Sequence, residues 1–192
     1  LDLVKDETKN IDSRFLEPAC GDGNFLIEVL RRKLEVVKKQ YKKSQFEYEK
    51  HSLIAVSSIY GIDLLEDNVE NARKRLYTFF VEEYIKLYKK KINEVFLKNI
   101  QYLLKKNILQ GNALDLKTNT GKPIIFAQWG LISGSKIKRK DFQFRDLAEF
   151  EEKKEDLFSQ NLVSDTGENA FIPEPIQDYS PVSFMNLYQS YE

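Results

Sequence analysis

The chain has 192 residues, of which 42% are hydrophobic and 31% are charged, which is typical of a single globular domain with a sizeable core. The 30 basic and 30 acidic residues give a formal net charge of zero, so any contact with nucleic acid needs a local basic patch. One Cys and one His exclude an internal disulfide and leave too few ligands for a zinc site, so we expect no bound metal.

The sequence also indicates where the protein works. It contains no apolar run long enough to span a membrane and no visible signal peptide. We therefore expect a cytoplasmic protein with no membrane partner. Because the chain begins with Leu rather than Met, we also expect further sequence upstream.

The first predicted element is a short strand that leads through a Gly-rich turn into a helix. The strand is expected over 14–19, and the helix over 24–42, where apolar residues recur at spacings of three and four. Gly21 and Gly23 lie in the turn, where the lack of a Cβ permits a sharp bend and close approach to a ligand. This order of elements predicts a site for a nucleotide-like cofactor at the carboxyl end of the strand.

The residues of the turn distinguish between two classes of cofactor. A dinucleotide site has the pattern G-x-G-x-x-G, but Leu26 stands where the third Gly belongs. Glu17 and Asp22 place negative charge around the turn and would repel a pyrophosphate. They suit a cofactor with a cationic amino-acid end and no phosphates, such as S-adenosylmethionine. The alternative is a strand-to-helix turn that binds no ligand.

A second part of the site is expected after the next strand. The polar stretch 45–52 is predicted to be a loop, and a strand within 53–64 ends at Asp63. In nucleotide-binding α/β folds, an acidic side chain at this strand end accepts hydrogen bonds from ribose hydroxyls. The alternative is a surface Asp that caps the following helix.

The stretch 66–106 contains no Gly and no Pro, and its apolar residues follow helical spacing. One long helix, or two helices with a tight joint, would fit this pattern. The length exceeds what a plain connection between parallel strands requires, so it indicates an insertion or an extended helical arm. A third strand is expected over 107–110.

The remainder of the chain is less regular. Strands are expected over 123–130 and 136–144, the second returning beside the first. An acidic helix is expected over 146–158 and an irregular tail, with Pro and scattered aromatic residues, over 159–192. We therefore predict one α/β domain over 1–158, with the tail packed on it.

Three segments stand in the order and spacing of one known family. They are the string E-P-A-C-G-D-G-N-F at 17–25, the pair I-D at 62–63 with A-R ten positions on, and G-N-A-L at 111–114. Together they resemble the cofactor motifs of N6-adenine DNA methyltransferases of restriction–modification systems. The resemblance covers roughly residues 12–116. It implies an α/β fold with a Rossmann-like class I methyltransferase sheet and flanking helices, S-adenosylmethionine as cofactor, and adenine in DNA as substrate.

The resemblance also implies which residues bind the cofactor. Those predicted to do so are Glu17, Pro18, Cys20, Gly21, Gly23, Asp63, Leu64, Asn112 and Ala113. In the family, an Asp at the position of Asn112 accepts a hydrogen bond from the adenine amino group. The amide oxygen of Asn112 can still accept that bond, and Asp115 is a nearby substitute. The alternative is a polar transition from strand to loop without a ligand.

The chain departs from the family at the catalytic motif, N/D/S-P-P-Y/F/W, because it contains no Pro-Pro pair. In the family, the amide and carbonyl of this motif accept hydrogen bonds from the target amine, and its aromatic residue stacks on a base flipped out of the duplex. The nearest candidates are Gln128, which supplies an amide, and Trp129, which supplies an aromatic face. The alternative is that they are core or hairpin residues.

A basic run in the predicted returning strand is the best candidate for contact with DNA phosphates. Its cations are Lys136, Lys138, Arg139 and Lys140. A solvated hairpin face is the alternative.

The leading hypothesis is thus an S-adenosylmethionine-dependent DNA methyltransferase that modifies adenine N6. Its expected partners are DNA and a target-recognition or restriction subunit. The gap in the catalytic motif favours a second hypothesis, a non-catalytic S-adenosylmethionine-binding subunit that uses the arm over 66–106 to join a polypeptide carrying the motif. A methyltransferase for RNA, protein or a small molecule is the third, since cofactor motifs recur over many substrates.

Overall fold

A three-stranded parallel sheet forms the centre of the fold, with helices on one face and a β-hairpin on the other. The computed structural model describes residues 6–89, 91–149 and 173–191. The parallel strands are β1 (Phe15–Glu17), β2 (Ile59–Asp63) and β3 (Ile108–Gln110). They lie in the spatial order β1-β2-β3, so β2 is the central strand.

The register of the strands brings their carboxyl ends to one edge of the sheet. Glu17 lies opposite Gly61, and Asp63 lies opposite Gln110. Open α/β sheets bind their ligands at this edge. The α/β class and the three parallel strands predicted from the sequence are therefore confirmed.

Four helices connect the parallel strands. They are α1 (Asn24–Tyr41), α2 (Gln45–Ser57), α3 (Glu66–Tyr88) and α4 (Glu94–Asn107). Side chains alternate between the faces of a strand, so Ile59 packs among the helices while Tyr60 and Ile62 point to the opposite face. In the part of the chain that the structure describes, no helix combines the length and apolar character needed to cross a membrane.

Residues 45–52 are helical, so the predicted loop is wrong. They form the first half of α2, which begins after Ser44, whose Oγ accepts a hydrogen bond from the backbone of the first turn at 3.3 Å. Polar side chains of this helix are buried because they are paired. Glu49 accepts hydrogen bonds from Gln45 Nε2 at 2.9 Å and from the Tyr84 hydroxyl. The polar residues of this stretch predict exposure to solvent, but their side chains can be buried because their hydrogen bonds are satisfied within the protein.

The stretch 66–106 forms two helices, α3 and α4, and both contribute to the core. The rings of Phe80 and Tyr84 on α3 lie 5.9 Å and 5.6 Å, centroid to centroid, from the ring of Phe96 on α4. The second helix begins after Asn93, whose Oδ1 accepts a hydrogen bond from Phe96 N at 3.2 Å. Because these aromatic side chains are fully buried, the segment belongs to the helical layer and is not a projecting arm.

The fourth and fifth strands form a hairpin and do not extend the parallel sheet. The hairpin consists of β4 (Ile125–Leu131) and β5 (Lys136–Gln143), and two short strands, β6 (Gln177–Asp178) and β7 (Val182–Ser183), pair with β5. Tyr60 fixes the hairpin to the sheet, since its hydroxyl donates to the Ala127 carbonyl at 3.0 Å and its ring lies 5.3 Å from that of Phe126. Both predicted strands are confirmed, and the second returns antiparallel beside the first as predicted.

The described part of the tail, 173–191, is anchored to α4. Asn99 donates from Nδ2 to the carbonyls of Phe184 and Met185 at 3.0 Å and 2.9 Å, and its Oδ1 accepts from Tyr188 N at 2.9 Å. The predicted acidic helix lies largely outside the described residues, although 144–149 are helical. The boundary between domain and tail stays a prediction.

Candidate functional site

The three loops at the carboxyl edge of the sheet meet at Asp63, the last residue of β2. Gly21 N donates to Oδ2 at 2.8 Å, while Leu65 N and Asn68 Nδ2 donate to Oδ1 at 3.0 Å each. Gly111 N, after β3, donates to the Asp63 carbonyl at 2.9 Å. One residue therefore joins the three segments that the sequence analysis singled out.

These bonds limit what the Asp63 carboxylate can still accept. Burial raises its pKa, but the hydrogen bonds from Leu65, Asn68 and Gly21 outweigh burial, so the pKa lies below its ordinary value. A carboxylate accepts about four hydrogen bonds, and three are already made within the chain. One position on Oδ2 remains for a ligand, and a second bond to Oδ1 requires Asn68 to release its own. Asp63 does not cap α3, because the residue before that helix is Leu65.

The Gly-rich turn adopts the backbone conformation that its glycines permit. Gly21 and Gly23 have φ of +51° and +86°, in the left-handed region. A Cβ on Gly23 would lie 3.2 Å from the Cβ of Ala72, so α3 leaves no room there for a side chain. No atom lies within 4 Å of the corresponding position at Gly21 among the described residues. The loop is therefore closed towards α3 and open towards the carboxyl edge.

Arg75 of α3 holds the tip of this loop. Its Nη1 donates to the Asp22 carbonyl and its Nη2 to Asn24 Oδ1, both at 2.8 Å, and the guanidinium forms an ion pair with the Asp22 carboxylate. The charge of Asp22 is thus offset within the chain. Of the two carboxylates expected to repel a pyrophosphate, only Glu17 has no cationic partner among the described residues. Arg75 was not predictable from the sequence, because its partners lie 53 and 51 positions earlier.

Cys20 contributes shape and backbone to the site, not a reactive thiol. Its N–H donates to the Ile62 carbonyl at 2.9 Å, and its side chain is buried. Burial, reinforced by the charge of Asp63, raises the pKa of the thiol to about 11, so it stays protonated at neutral pH. A Cβ on Gly61 would lie only 3.0 Å from the Cys20 sulfur, so the thiol fills the space over that glycine.

Large apolar side chains are exposed beside these polar groups. Leu64 is 64% exposed and Leu114 is 94% exposed, although leucine is among the residue types most often buried. Asn112 lies close to Leu114 in sequence, and two hydrogen bonds fix its position. Its Oδ1 accepts from Leu114 N at 2.9 Å, and its backbone N donates to the Lys117 carbonyl at 2.8 Å. Asp115, the predicted substitute, uses Oδ1 to accept from Lys117 N at 3.0 Å.

Two further predicted residues border the same loops. Pro18 is exposed in the loop after β1. Ala113 is half-buried and packs against the cluster between the hairpin and the sheet. All nine predicted cofactor-binding residues therefore lie at the carboxyl edge: Glu17 and Asp63 end their strands, and the other seven lie in the segments that follow.

Gln128 and Trp129 lie away from that edge. Trp129 Nε1 donates to Asn107 Oδ1 at 3.0 Å, and Asn107 Nδ2 donates to the Ser57 carbonyl at 2.9 Å, which ties the indole to the amino ends of β2 and β3. Gln128 lines a cleft of about 460 Å³ beside Arg14 and Ser57, which precede β1 and β2. Both are hairpin residues at the opposite end of the parallel strands, and their assignment as catalytic residues stays a prediction.

The basic run of β5 is largely paired within the chain. Arg139 is only 6% exposed and donates from Nε and Nη2 to the two carboxylate oxygens of Asp141 at 2.7 Å and 2.6 Å. Lys138 and Lys140 lie 2.8 Å and 3.9 Å from the carboxylate of Asp178. Arg139 is therefore paired within the hairpin, whereas Lys136 remains exposed, and the contact of this basic run with DNA stays a prediction.

No group of three or more His, Cys, Asp or Glu side chains within the described ranges is arranged to hold a metal ion. The carboxylates at the carboxyl edge instead accept hydrogen bonds from the loops. The site as described is thus one of backbone amides, carboxylate oxygens and exposed apolar side chains.

Comparison with known proteins gives two matches. The family model described as "MmeI, DNA-methyltransferase domain" matches residues 2–124, a range that contains every loop of the site and ends just before β4. The protein named "Putative type II restriction enzyme and methyltransferase RM.MjaORFECS2P", from Methanocaldococcus jannaschii, is 35% identical over 104 residues. The matched part is 53% of this chain and 8% of that protein, so the chain corresponds to a small part of its relative. No solved structure matches the chain significantly.

Proposed function

Because the chain belongs to the family of MmeI DNA-methyltransferase domains, we propose that it binds S-adenosylmethionine and serves methylation of adenine N6 in DNA. The observation that carries this proposal is the convergence of three loops on Asp63 at the carboxyl edge of the sheet. That edge is where a Rossmann-like sheet holds a nucleoside. The choice of adenine N6 rests on the resemblance of the sequence motifs.

The site suits the separate parts of S-adenosylmethionine. The Glu17 carboxylate attracts the cationic amino-acid end, and Asp63 accepts one hydrogen bond from a ribose hydroxyl. Leu64 and Leu114 offer apolar surface to the adenine ring, and Asn112 retains an acceptor position for the exocyclic amine. When bound, this cofactor supplies an electrophilic methyl group. The residues of this chain bind and orient it beside the edge where a target base would enter.

A second candidate function is cofactor binding without catalysis. It is favoured by the absence of a Pro-Pro pair and by the position of Gln128 and Trp129 at the amino ends of the strands. Methylation of an amine depends chiefly on placing the amine against the methyl group. A chain that lacks the groups for this placement would bind the cofactor and leave positioning of the base to another polypeptide.

Calorimetric titration with S-adenosylmethionine, with NAD as the comparison ligand, tests the cofactor assignment. We expect the wild-type chain to bind S-adenosylmethionine and not NAD. Asp63→Asn should weaken binding by about tenfold or more, the scale of one charge-assisted hydrogen bond. Glu82→Gln, which removes an exposed carboxylate from α3, should leave the affinity unchanged. An Asp63→Asn protein with wild-type affinity would reject the ribose contact, and absence of binding would reject the cofactor.

Transfer of a radiolabelled methyl group to duplex DNA separates the two candidate functions. Recovery of the label in N6-methyladenine supports a complete methyltransferase. Cofactor binding with no transfer to DNA, RNA or protein supports the non-catalytic subunit. Transfer to RNA or protein in preference to DNA would contradict the proposed substrate.

A further inference from the structure

The Asp63 carboxylate offers its two oxygens unequally to a ligand. Oδ1 accepts from Leu65 N and from Asn68 Nδ2, at 3.0 Å each. Oδ2 accepts from Gly21 N at 2.8 Å and keeps one acceptor position open. A ligand that donates one hydrogen bond therefore finds an open position, whereas a ligand that donates two meets an occupied one.

Of the three groups that donate to this carboxylate, Asn68 is the one that can leave without a movement of the backbone. Gly21 N and Leu65 N are backbone amides, so the Gly-rich turn and the entry to α3 fix their positions. The Asn68 donor ends a half-buried side chain in the first turn of α3, and a change of rotamer takes it away from Oδ1. The backbone N of Asn68 is bonded separately, to Asp67 Oδ1 at 3.0 Å, so the side chain can move while this turn keeps its bond.

A ribose meets these two oxygens with two neighbouring hydroxyls. Each hydroxyl is a donor, and the pair can bind one carboxylate oxygen each. The hydroxyl directed to Oδ2 adds a hydrogen bond to the site. The hydroxyl directed to Oδ1 replaces the bond from Asn68, so it contributes little to the affinity.

We infer that Asn68 competes with one ribose hydroxyl for Asp63 and thereby limits the selectivity of the site for ribose over deoxyribose. The inference rests on the proposed function, in which Asp63 contacts the ribose of S-adenosylmethionine. It makes Asn68 a specificity-determining residue. Removal of its amide should strengthen binding, whereas removal of the Asp63 charge should weaken it.

A purely structural role for Asn68 predicts the opposite sign. If the bond from Asn68 Nδ2 served only to order the loops around Asp63, its loss would loosen the site. Every nucleoside would then bind more weakly, and by the same factor, because no ligand group takes the place of the amide. The sign of the change and its dependence on the sugar therefore separate the two roles.

The test compares the wild-type chain with Asn68→Ala and Asn71→Ala by calorimetric titration. The ligands are S-adenosylmethionine, adenosine, 2′-deoxyadenosine and 3′-deoxyadenosine, so each ribose hydroxyl is removed in turn. Asn71→Ala is the matched control, because Asn71 is exposed, lies on the same helix and is not among the groups that donate to Asp63. Thermal denaturation checks that each variant is folded.

Asn68→Ala should bind S-adenosylmethionine about tenfold more tightly than the wild-type chain, the scale of one hydrogen bond to a charged group. For one of the two deoxynucleosides, affinity relative to adenosine should fall by less than about twofold in the wild-type chain and by about tenfold in Asn68→Ala. Asn71→Ala should match the wild-type chain in every titration. Unchanged or weaker binding by Asn68→Ala, or equal ratios in the two proteins for both deoxynucleosides, would overturn the inference.

The nucleosides separate failure of this inference from failure of the proposed function. Binding of S-adenosylmethionine with the same deoxynucleoside ratios in the wild-type chain and Asn68→Ala overturns the competition and leaves the cofactor assignment intact. Binding of adenosine without binding of S-adenosylmethionine rejects the proposed cofactor, while the deoxynucleoside ratios still decide the role of Asn68. Absence of binding for all four ligands, in the wild-type chain and in Asn68→Ala, would overturn both.

Discussion

Gly61→Ala tests whether the Gly-rich turn packs so closely on the middle of β2 that an added methyl group displaces the turn. The added Cβ would lie 2.9 Å from Leu26 Cδ1 and 3.0 Å and 3.1 Å from the Sγ and Cβ of Cys20. The Leu26 methyl is the end of a flexible side chain, but Cys20 is short and its N–H is bonded to the strand at Ile62. The loop must therefore shift by a few tenths of an ångström. Overpacking of this kind costs about 1–3 kcal/mol.

At about 2–4 °C per kcal/mol for a chain of this size, the melting temperature should fall by roughly 2–12 °C. Affinity for S-adenosylmethionine should fall as well, because a shift of Cys20 also displaces the next residue, Gly21, whose N–H donates to Asp63. Gly130→Ala is the matched control, since no atom of the described residues lies within 4 Å of its Cβ position and its φ is not positive. Differential scanning calorimetry and ligand titration measure both effects. Equal melting temperatures for the Gly61 and Gly130 variants would refute the close packing of Cys20 on Gly61 as a constraint on the turn.

Three further predictions concern residues whose role the structure assigns. Arg75→Gln removes the ion pair with Asp22 at the loop tip and should weaken S-adenosylmethionine binding several-fold in calorimetry, whereas Arg75→Lys should retain part of the affinity. Equal affinities for the wild-type chain and Arg75→Gln would show that binding does not require Arg75 to hold the loop. Trp129→Phe removes the indole N–H that donates to Asn107 Oδ1 and should lower the free energy of unfolding by about 1 kcal/mol in denaturant titration, without lowering the rate of methyl transfer; a large loss of rate at full cofactor occupancy would support its assignment as a catalytic residue. Lys33 of α1 is buried, its Nζ donates to the Ile11 carbonyl at 3.1 Å, and burial lowers its pKa to about 7. Between pH 7 and about 8.5 the unfolded chain therefore binds more protons than the folded one, and stability should rise with pH by roughly 1–2 kcal/mol. Lys33→Met should abolish this rise in stability curves, and a wild-type curve that is flat or falling over this range would contradict it.

The loops at the carboxyl edge, which we propose bind the cofactor, were predictable from sequence because each follows a strand directly. Glycine in a tight turn and an acid at a strand end are local signals, and parallel strands bring such ends together. The number of hydrogen bonds that reach Asp63 was not predictable. It depends on Asn68 and on the Gly21 backbone, whose positions follow from how the loop lies against α3.

Sequence and structure differ where side-chain partners override the local pattern. Residues 45–52 are polar, yet Glu49 is buried because Tyr84, on another helix, donates to it. The basic run of β5 looks like a DNA contact in sequence, yet the alternation of the strand turns Arg139 inward to meet Asp141. The deciding partners are Tyr84 on α3 in the first case, and Asp141 on the same strand together with Tyr102 on α4 in the second. Periodicity reveals none of these pairings.

The number of bonds to Asp63 also changes the expected source of cofactor affinity. Since three of its acceptor positions serve the loops, a nucleoside gains about one hydrogen bond there, worth about 1.5–3 kcal/mol. Covering the exposed surfaces of Leu64 and Leu114, 64% and 94% of each side chain, would contribute about 2–5 kcal/mol, from about 1.5–3 kcal/mol for full burial of each leucine. The apolar contacts are therefore at least comparable with the polar one. Asp63 acts first as the residue that orders the loops, and the leucines that those loops expose supply much of the surface that a nucleoside would cover.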